Sequence, residues 1–151
     1  MSMDRRRELV EADDRGWAEL HRLLRTLTQE QIARVGYHED WSVKDMLAHL
    51  GSWFAEAATQ LEQMRMGTFR DEKVDVESLN HVWYEAWRDK DLPIVMAELH
   101  AGRARMLEEW GRLPQIDGHA DEWFRESGPE HYDDHLPRLR EWVSELRGDP
   151  T

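Results

Sequence analysis

Hydrophobic residues recur every three or four positions along most of the chain, which is the spacing of amphipathic helices. In residues 4–27 charged residues separate these apolar positions, so the segment is predicted to form the first helix. The apolar positions of this helix are Leu9, Trp17, Leu20, Leu24 and Leu27. The chain has no run of β-branched residues and no Asn-Gly or Asp-Gly turn flanked by alternating residues. The pattern therefore predicts an all-α protein.

The second predicted helix, about residues 43–64, is apolar on more than one side. Ser42 and Asp45 have the spacing of a capping box, with Asp in place of the usual Glu or Gln, and they mark where this helix begins. A helix that is apolar on several sides lies at the centre of a fold or packs against several neighbours. His49 interrupts the apolar run two turns into the helix, and a buried histidine costs free energy unless a partner satisfies it.

Three further helices are predicted over residues 76–87, 92–110 and 129–146. Pro93 and Pro129 stand in the first turns of the last two, where proline is best tolerated. The helix over 76–87 is the short one. Its buried side is expected to consist of Leu79, Val82, Trp83, Ala86 and Trp87.

Residues 28–40 and 112–128 are interpreted as connections, because glycine and clustered polar residues break the periodicity there. The second connection is long, and loops of such length are often functional. The sum is a four-helix bundle with one additional short helix. We expect a single domain over residues 1–151, since this length is typical of one domain.

The chain is acidic, with 20 Lys and Arg residues against 32 Asp and Glu residues and a formal net charge of −12. Phosphate binding needs a basic stripe, so nucleic acid is not expected as a partner. The run at residues 5–7 is the only cluster of arginines, and we interpret it as a solvated helix face. No segment has 18 consecutive apolar residues and no apolar signal-peptide region is found, so we expect a cytoplasmic protein without membrane contact.

The chain has no cysteine, which excludes disulfides, thiolate metal ligands and a cysteine nucleophile. Any thiol chemistry must then use a thiol supplied by a small molecule. The eight tryptophans are many for this length, and they are expected to serve as core anchors or as pocket walls.

His131 and His135 are four residues apart, which places them on one face of the last helix, on a stripe that continues through buried positions. Together with His49 they would give three neutral imidazoles, a set that suits Zn²⁺, Ni²⁺ or Fe²⁺. Three protein ligands leave a coordination position open, as in catalytic metal sites. Since the ligands must be neutral, acidification through about pH 6 should release the metal.

Two other interpretations of these histidines remain open at this point. A His-x-x-x-His pair arises easily by chance in a chain with eight histidines. A core histidine such as His49 is also commonly satisfied by a backbone carbonyl.

Two segments carry a resemblance that spans most of the chain. They are W-S-V-K-D-M-L-A-H-L-G-S-W at residues 41–53 and E-H-Y-D-D-H-L-P-R-L-R-E-W at residues 130–142. With them the sequence resembles the DinB/YfiT-like family of helical-bundle metalloenzymes. The resemblance implies a metal triad on His49, His131 and His135.

The resemblance also implies an activity. Family members include thiol-dependent S-transferases that use mycothiol or bacillithiol, and mycothiol-dependent maleylpyruvate isomerases. The expected function is therefore a metal-dependent thiol S-transferase or hydrolase that acts on a small electrophile, as in detoxification. The family often forms dimers, which implies a homodimer. The chain is also similar to ClbS/DfsB-type self-resistance proteins, especially at Asn80 and residues 139–142, and these need not use a metal.

Four aromatic residues are candidates for the apolar walls of a substrate pocket: Trp53, Trp83, Trp87 and Tyr132. The alternative for each is ordinary core packing. Two further hypotheses remain beside the enzyme: a bundle that sequesters an apolar or electrophilic compound without turnover, and a structural dimer whose histidines are satisfied internally.

Overall fold

The computed structural model describes residues 3–148, which form seven α-helices and contain no strand. The all-α prediction is confirmed. Four of the helices have 19 or more residues and correspond to the predicted bundle. The helices are α1 (Met3–Leu24), α2 (Gln29–Ala33), α3 (Val43–Met66), α4 (Val76–Trp87), α5 (Leu92–Arg112), α6 (Gly118–Ser127) and α7 (Pro129–Arg147).

Helix α3 is the central element, as its apolar pattern predicts. It begins with the expected capping box: the Ser42 hydroxyl accepts from the Asp45 backbone N–H at 3.1 Å, and the Asp45 carboxylate accepts from the Ser42 N–H at 2.9 Å. It ends at Gly67, whose φ of 77° lies in the left-handed region that glycine adopts without strain. It packs against α2, α4, α5 and α6, most extensively against α5.

Helices α3 and α5 approach so closely that glycine is required on both at the crossing. A Cβ added to Gly102 would lie 2.9 Å from the carbonyl oxygen of Gly51. A Cβ added to Gly51 would lie 3.1 Å from the Cα of Leu99. Backbone faces backbone here, so neither helix can accommodate a side chain by a rotamer change.

Three short helices accompany the four long ones, whereas the sequence indicated one. Helix α2 lies in the predicted connection over 28–40, and Thr28 and Gln31 form its capping box. Helix α6 lies in the predicted loop over 112–128, where the Asp117 carboxylate accepts from the Ala120 N–H at 2.9 Å. Phe124 of α6 is fully buried and stacks on another core ring, so tertiary packing holds this polar helix in place.

Helix α4 does not bury the side that the sequence predicted. None of its residues is buried, and Val82 is 58% exposed. The reason is its position on the outside of α3, where few other elements cover it. No helix among residues 3–148 is long and apolar enough to cross a bilayer.

The arginines near the start of α1 were expected to be solvated, and two of them instead tie α1 to other elements. Arg6 donates to the carbonyl oxygens of Trp110 and Leu113, both at 2.7 Å, where α5 ends. Arg5 forms an ion pair with the buried Asp121 of α6 at 2.9 Å. These bonds satisfy carbonyls at a helix end and, together with Arg125 at 3.1 Å, the buried carboxylate of Asp121.

Candidate metal centre

Helices α3 and α7 bring His49, His131 and His135 together. One ring nitrogen of each lies within 4.8 Å of those of the other two. The ring centroids form a nearly regular triangle with sides of 4.8, 4.8 and 5.0 Å. Within residues 3–148 this is the one group of three or more His, Asp or Glu side chains close enough to hold a metal ion.

A backbone carbonyl on the side of the ring away from the other histidines fixes the orientation of His131. Its Nδ1 lies 3.2 Å from the carbonyl oxygen of Ser127, the last residue of α6. A ring N–H must occupy that contact, since the carbonyl can only accept, so Nε2 carries the lone pair. This Nε2 points at the Nε2 of His49 at 2.9 Å. The junction of α6 and α7 thus sets the tautomer in which His131 can act as a ligand.

Contacts with the segment before α3 also place the other two histidines. The Tyr37 hydroxyl donates to the carbonyl oxygen of His135 at 3.3 Å, which links α7 to the segment before α3. Trp41 packs edge-on against His49, with ring centroids 5.4 Å apart. The segment preceding α3 therefore buttresses the site on one side.

All three imidazoles are held neutral by their surroundings. Burial, with a smaller contribution from the nearby His135, lowers the pKa of His49 to about 3. Burial also lowers the pKa of His131 well below its ordinary value, with the other two histidines adding to the effect. The pKa of His135 is lowered by burial as well, and the carboxylate of Asp134 partly opposes this. Neutral imidazole is the form that binds a metal.

The donor set and spacing fit a divalent metal. With metal–nitrogen bonds of about 2.0–2.1 Å, two nitrogens on one cation lie about 2.9–3.4 Å apart. The 2.9 Å between the Nε2 atoms of His49 and His131 falls at the short end of this range. His135 would supply the third imidazole nitrogen, which lies within 4.8 Å of those of His49 and His131. The 2.9 Å between the Nε2 atoms of His49 and His131 also suits one N–H···N hydrogen bond between the two rings.

The open side of the triad faces a cavity of about 580 Å³. All three histidines line it, and so does Trp53, as the sequence suggested. The indole N–H of Trp53 donates to the side-chain oxygen of Asn80 at 2.8 Å, and Asn80 lines the cavity too.

The other three aromatic candidates lie elsewhere. Trp83 and Trp87 line a separate groove of about 200 Å³ between α3, α4 and α5. Tyr132 is 1% exposed and packs against Phe54 in the core. It follows His131 directly in the chain, so its side chain leaves the helix about 100° away from the histidine stripe. Trp83 still contacts Trp53 edge-on, with ring centroids 4.9 Å apart.

Sequence reasoning missed the residues that helix α6 and the segment after α3 contribute to the cavity. Trp123 and His119 line it, although residues 112–128 were interpreted as a loop and His119 as a surface residue. The available signal was Asp117 as an N-cap followed by apolar residues at helical spacing. Acidic side chains complete the lining: Asp71, Glu72, Glu122, Glu126 and Asp134.

Comparison with known proteins agrees with this architecture. The family model described as "Mycothiol maleylpyruvate isomerase N-terminal domain" matches residues 14–146, a range that contains the whole triad. A crystal structure of an uncharacterised protein from Escherichia coli UTI89 aligns with a TM-score of 0.78 over 97% of this chain and 96% of that chain. At 17% sequence identity this similarity concerns the fold alone. No curated protein matches the chain.

Proposed function

Since this chain belongs to the mycothiol maleylpyruvate isomerase N-terminal domain family, within the DinB/YfiT-like superfamily, we propose that it binds a divalent metal and acts on a small electrophile. The proposed reaction is the transfer of a low-molecular-weight thiol, such as mycothiol or bacillithiol, or hydrolysis by water. The observation that carries the proposal is the convergence of His49, His131 and His135, within 4.8 Å of one another, on the floor of a cavity.

The residues of the chain have separable tasks in this proposal. His49, His131 and His135 would hold the cation, and burial keeps them in the unprotonated form that this requires. A divalent cation held there supplies a Lewis acid that lowers the pKa of a thiol or a water. The carbonyl of Ser127 keeps the Nε2 of His131 aimed at the site.

The nucleophilic sulfur must come from outside the chain, because the sequence has no cysteine. A cavity of about 580 Å³ falls within the range of about 300–1,000 Å³ usual for small-molecule sites. The ring of Trp53, which is 8% exposed, lines the cavity, and its only polar group, the indole N–H, donates to the side-chain oxygen of Asn80. The indole ring of Trp53 therefore gives the wall an apolar part.

The test is metal stoichiometry by elemental analysis, on tag-free protein dialysed against Zn²⁺ or Ni²⁺ and then against buffer. We expect about one ion per chain, and its loss in His135→Ala. His81→Ala is the matched control, because His81 is an exposed histidine of α4 outside the cavity. His100→Ala measures any ion held at the surface, since His21 and His100 face each other with Nε2 atoms 3.3 Å apart. Full metal content in His135→Ala would refute the triad.

A second candidate is a bundle that binds or sequesters its ligand without a metal, as in the ClbS/DfsB-type proteins that the sequence also resembles. The hydrogen bond between Trp53 and Asn80 in the cavity wall favours it, because this ordered wall does not depend on a cation. Absence of metal under every loading condition, together with ligand binding in the cavity, would support this candidate. The homodimer implied by the resemblance stays a prediction, and sedimentation equilibrium would test it.

A further inference from the structure

The cavity above the triad is lined by far more negative than positive charge. Five carboxylate residues line it, against a single lysine, Lys73. His119 lies 3.8 Å from Asp71 and neutralises it only when protonated. Even a divalent cation on the triad would leave the lining negative overall.

These carboxylates do not form a second metal site. Within residues 3–148 only the three histidines lie close enough together to hold an ion. The acidic side chains are therefore spread around a space larger than a metal ion. Such an arrangement matches a bulkier cation whose charge is shared among several partners at a distance.

Helix α6 places two of these acids in mutual repulsion. Glu122 and Glu126 are four residues apart, and like charges at this spacing destabilise a helix. Burial raises the pKa of Glu126, and the charge of Glu122 raises it further. Within the described residues neither Glu122 nor Glu126 forms a hydrogen bond or ion pair, and the charge of Arg125 only partly offsets the repulsion at Glu126. A positively charged ligand in the cavity would relieve it.

Tryptophan rings share the same lining. Trp53 and Trp123 have ring centroids 6.5 Å apart, and both line the cavity. The negative face of an indole ring attracts ammonium groups, and tryptophan does so more strongly than the other aromatic residues. The cavity thus combines aromatic surface for an apolar body with carboxylates for a positive group.

We infer that the small molecule bound in this cavity is an organic cation, an amine with an apolar body, and that the cavity disfavours dicarboxylates. The inference rests on the proposed function for what becomes of the ligand, since the bound amine would there carry a separate electrophilic group. The charge of the lining does not depend on the metal. The two ideas can therefore fail separately.

The experiment compares three probes of similar shape that differ in charge: phenylpropylamine, phenylpropanol and phenylpropanoate. Their affinities are measured by isothermal titration calorimetry at low salt, on metal-loaded protein and again after chelation. We expect the amine to bind about tenfold more tightly than the acid in both states, with a smaller ratio at high salt, because exposed carboxylates act through water and are screened.

The decisive variant is Glu122→Gln/Glu126→Gln, which should reduce the preference for the amine severalfold. The matched control is Glu11→Gln/Glu108→Gln, which removes two exposed negative charges from α1 and α5 outside the cavity and should leave the preference unchanged. Equal or tighter binding of the acid, equal effects of the two double variants, or no binding of any probe would overturn the inference.

Metal content measured on the same samples separates the outcomes. Metal bound to the triad without a charge preference would end this inference and leave the proposed function standing. A preference for the amine in protein that binds no metal would support this inference and end the proposed metal-dependent function.

Discussion

The close approach of α3 and α5 at Gly102 gives a sharp stability prediction for Gly102→Ala. In an exposed helix interior, glycine to alanine stabilises by about 0.5–1 kcal/mol, because glycine loses more chain entropy on folding. At Gly102 the new methyl group would lie 2.9 Å from the carbonyl oxygen of Gly51 and 3.4 Å from the backbone nitrogen of Ala55. Both neighbours are backbone atoms of α3, so α3 and α5 must separate.

Overpacking of this kind typically costs about 1–3 kcal/mol. Gly111→Ala is the matched control, because Gly111 lies in the same helix and no atom outside that helix stands within 4 Å of its Cβ position. We expect Gly111→Ala to be neutral or stabilising. Gly102→Ala should be less stable than this control by about 1–3 kcal/mol, which is the cost of the crossing alone.

Urea unfolding of the chelated proteins, followed by circular dichroism, measures the difference, and chelation removes any stabilisation by bound metal. For a chain of this length each kcal/mol corresponds to about 2–4 °C in Tm. Equal stability of Gly102→Ala and Gly111→Ala would show that α3 and α5 do not touch through their backbones. Since Gly51 lies between His49 and Trp53 on α3, separation of the helices should also weaken metal binding in Gly102→Ala.

Three further predictions concern titration and capping. The pKa values of the triad histidines lie below the ordinary 6.5 only in the folded chain. Their contribution to the free energy of unfolding of the metal-free protein is therefore complete above pH 6.5, and it is lost as the pH falls towards about 3, the pKa of His49. His49→Gln should flatten the pH dependence of urea unfolding. Metal should stay bound at pH 6, in contrast to the release through about pH 6 expected from the reference pKa of histidine, because burial lowers the pKa values of all three ligands; release at pH 6 would refute this. The pH dependence of stability that comes from Asp13 has the opposite sign. Burial raises the pKa of Asp13 to about 6 in spite of Arg103, so its unfavourable contribution to folding stability is complete above pH 6 and disappears below about pH 4. Wild type should therefore gain stability relative to Asp13→Asn between pH 6 and 4, and a constant difference would contradict the raised pKa. Ser42→Ala should cost about 1 kcal/mol because it removes the N-cap of α3, whereas Thr28→Ala on the five-residue α2 should cost less; chemical denaturation compares them, and equal losses would contradict this ranking.

The elements that local signals define were predictable from the sequence. Ser42 and Asp45 mark the start of α3, and the structure contains both bonds of that capping box. The proline in the first turn likewise located the starts of α5 and α7. Helix α6 was missed because its mean character is polar and its helicity depends on burying Ala120 and Phe124 against other elements. The apolar residues at helical spacing in these ten positions are too few to outweigh the polar composition, and most helical stability comes from such tertiary packing.

The site was only partly predictable for the same reason. The spacing of His131 and His135 placed them on one face, the apolar run of α3 singled out His49, and the family resemblance implied that the three form a triad, which the structure brings together. The cavity walls depend on which helices are neighbours, and α6 was not expected to exist. Trp123 and Glu126 were therefore missed, and Tyr132 was assigned to a pocket although it belongs to the core. Pairs of surface histidines such as His21 and His100, which are 79 positions apart, carry no local signal at all.

The packing of Trp53 against Trp83 and Trp123 has an optical consequence. Trp83 meets Trp53 nearly at right angles, at an interplanar angle of 88°, and Trp123 completes a cluster of three indoles beside the triad. Indole rings held this close in a fixed chiral geometry couple their electronic transitions, which gives a circular dichroism band that isolated tryptophans lack. A molecule that enters the cavity touches Trp53 and Trp123 and so disturbs this coupling. The protein thus contains its own label-free spectroscopic reporter of occupancy, and Trp83→Phe should weaken the signal without altering the lining of the cavity.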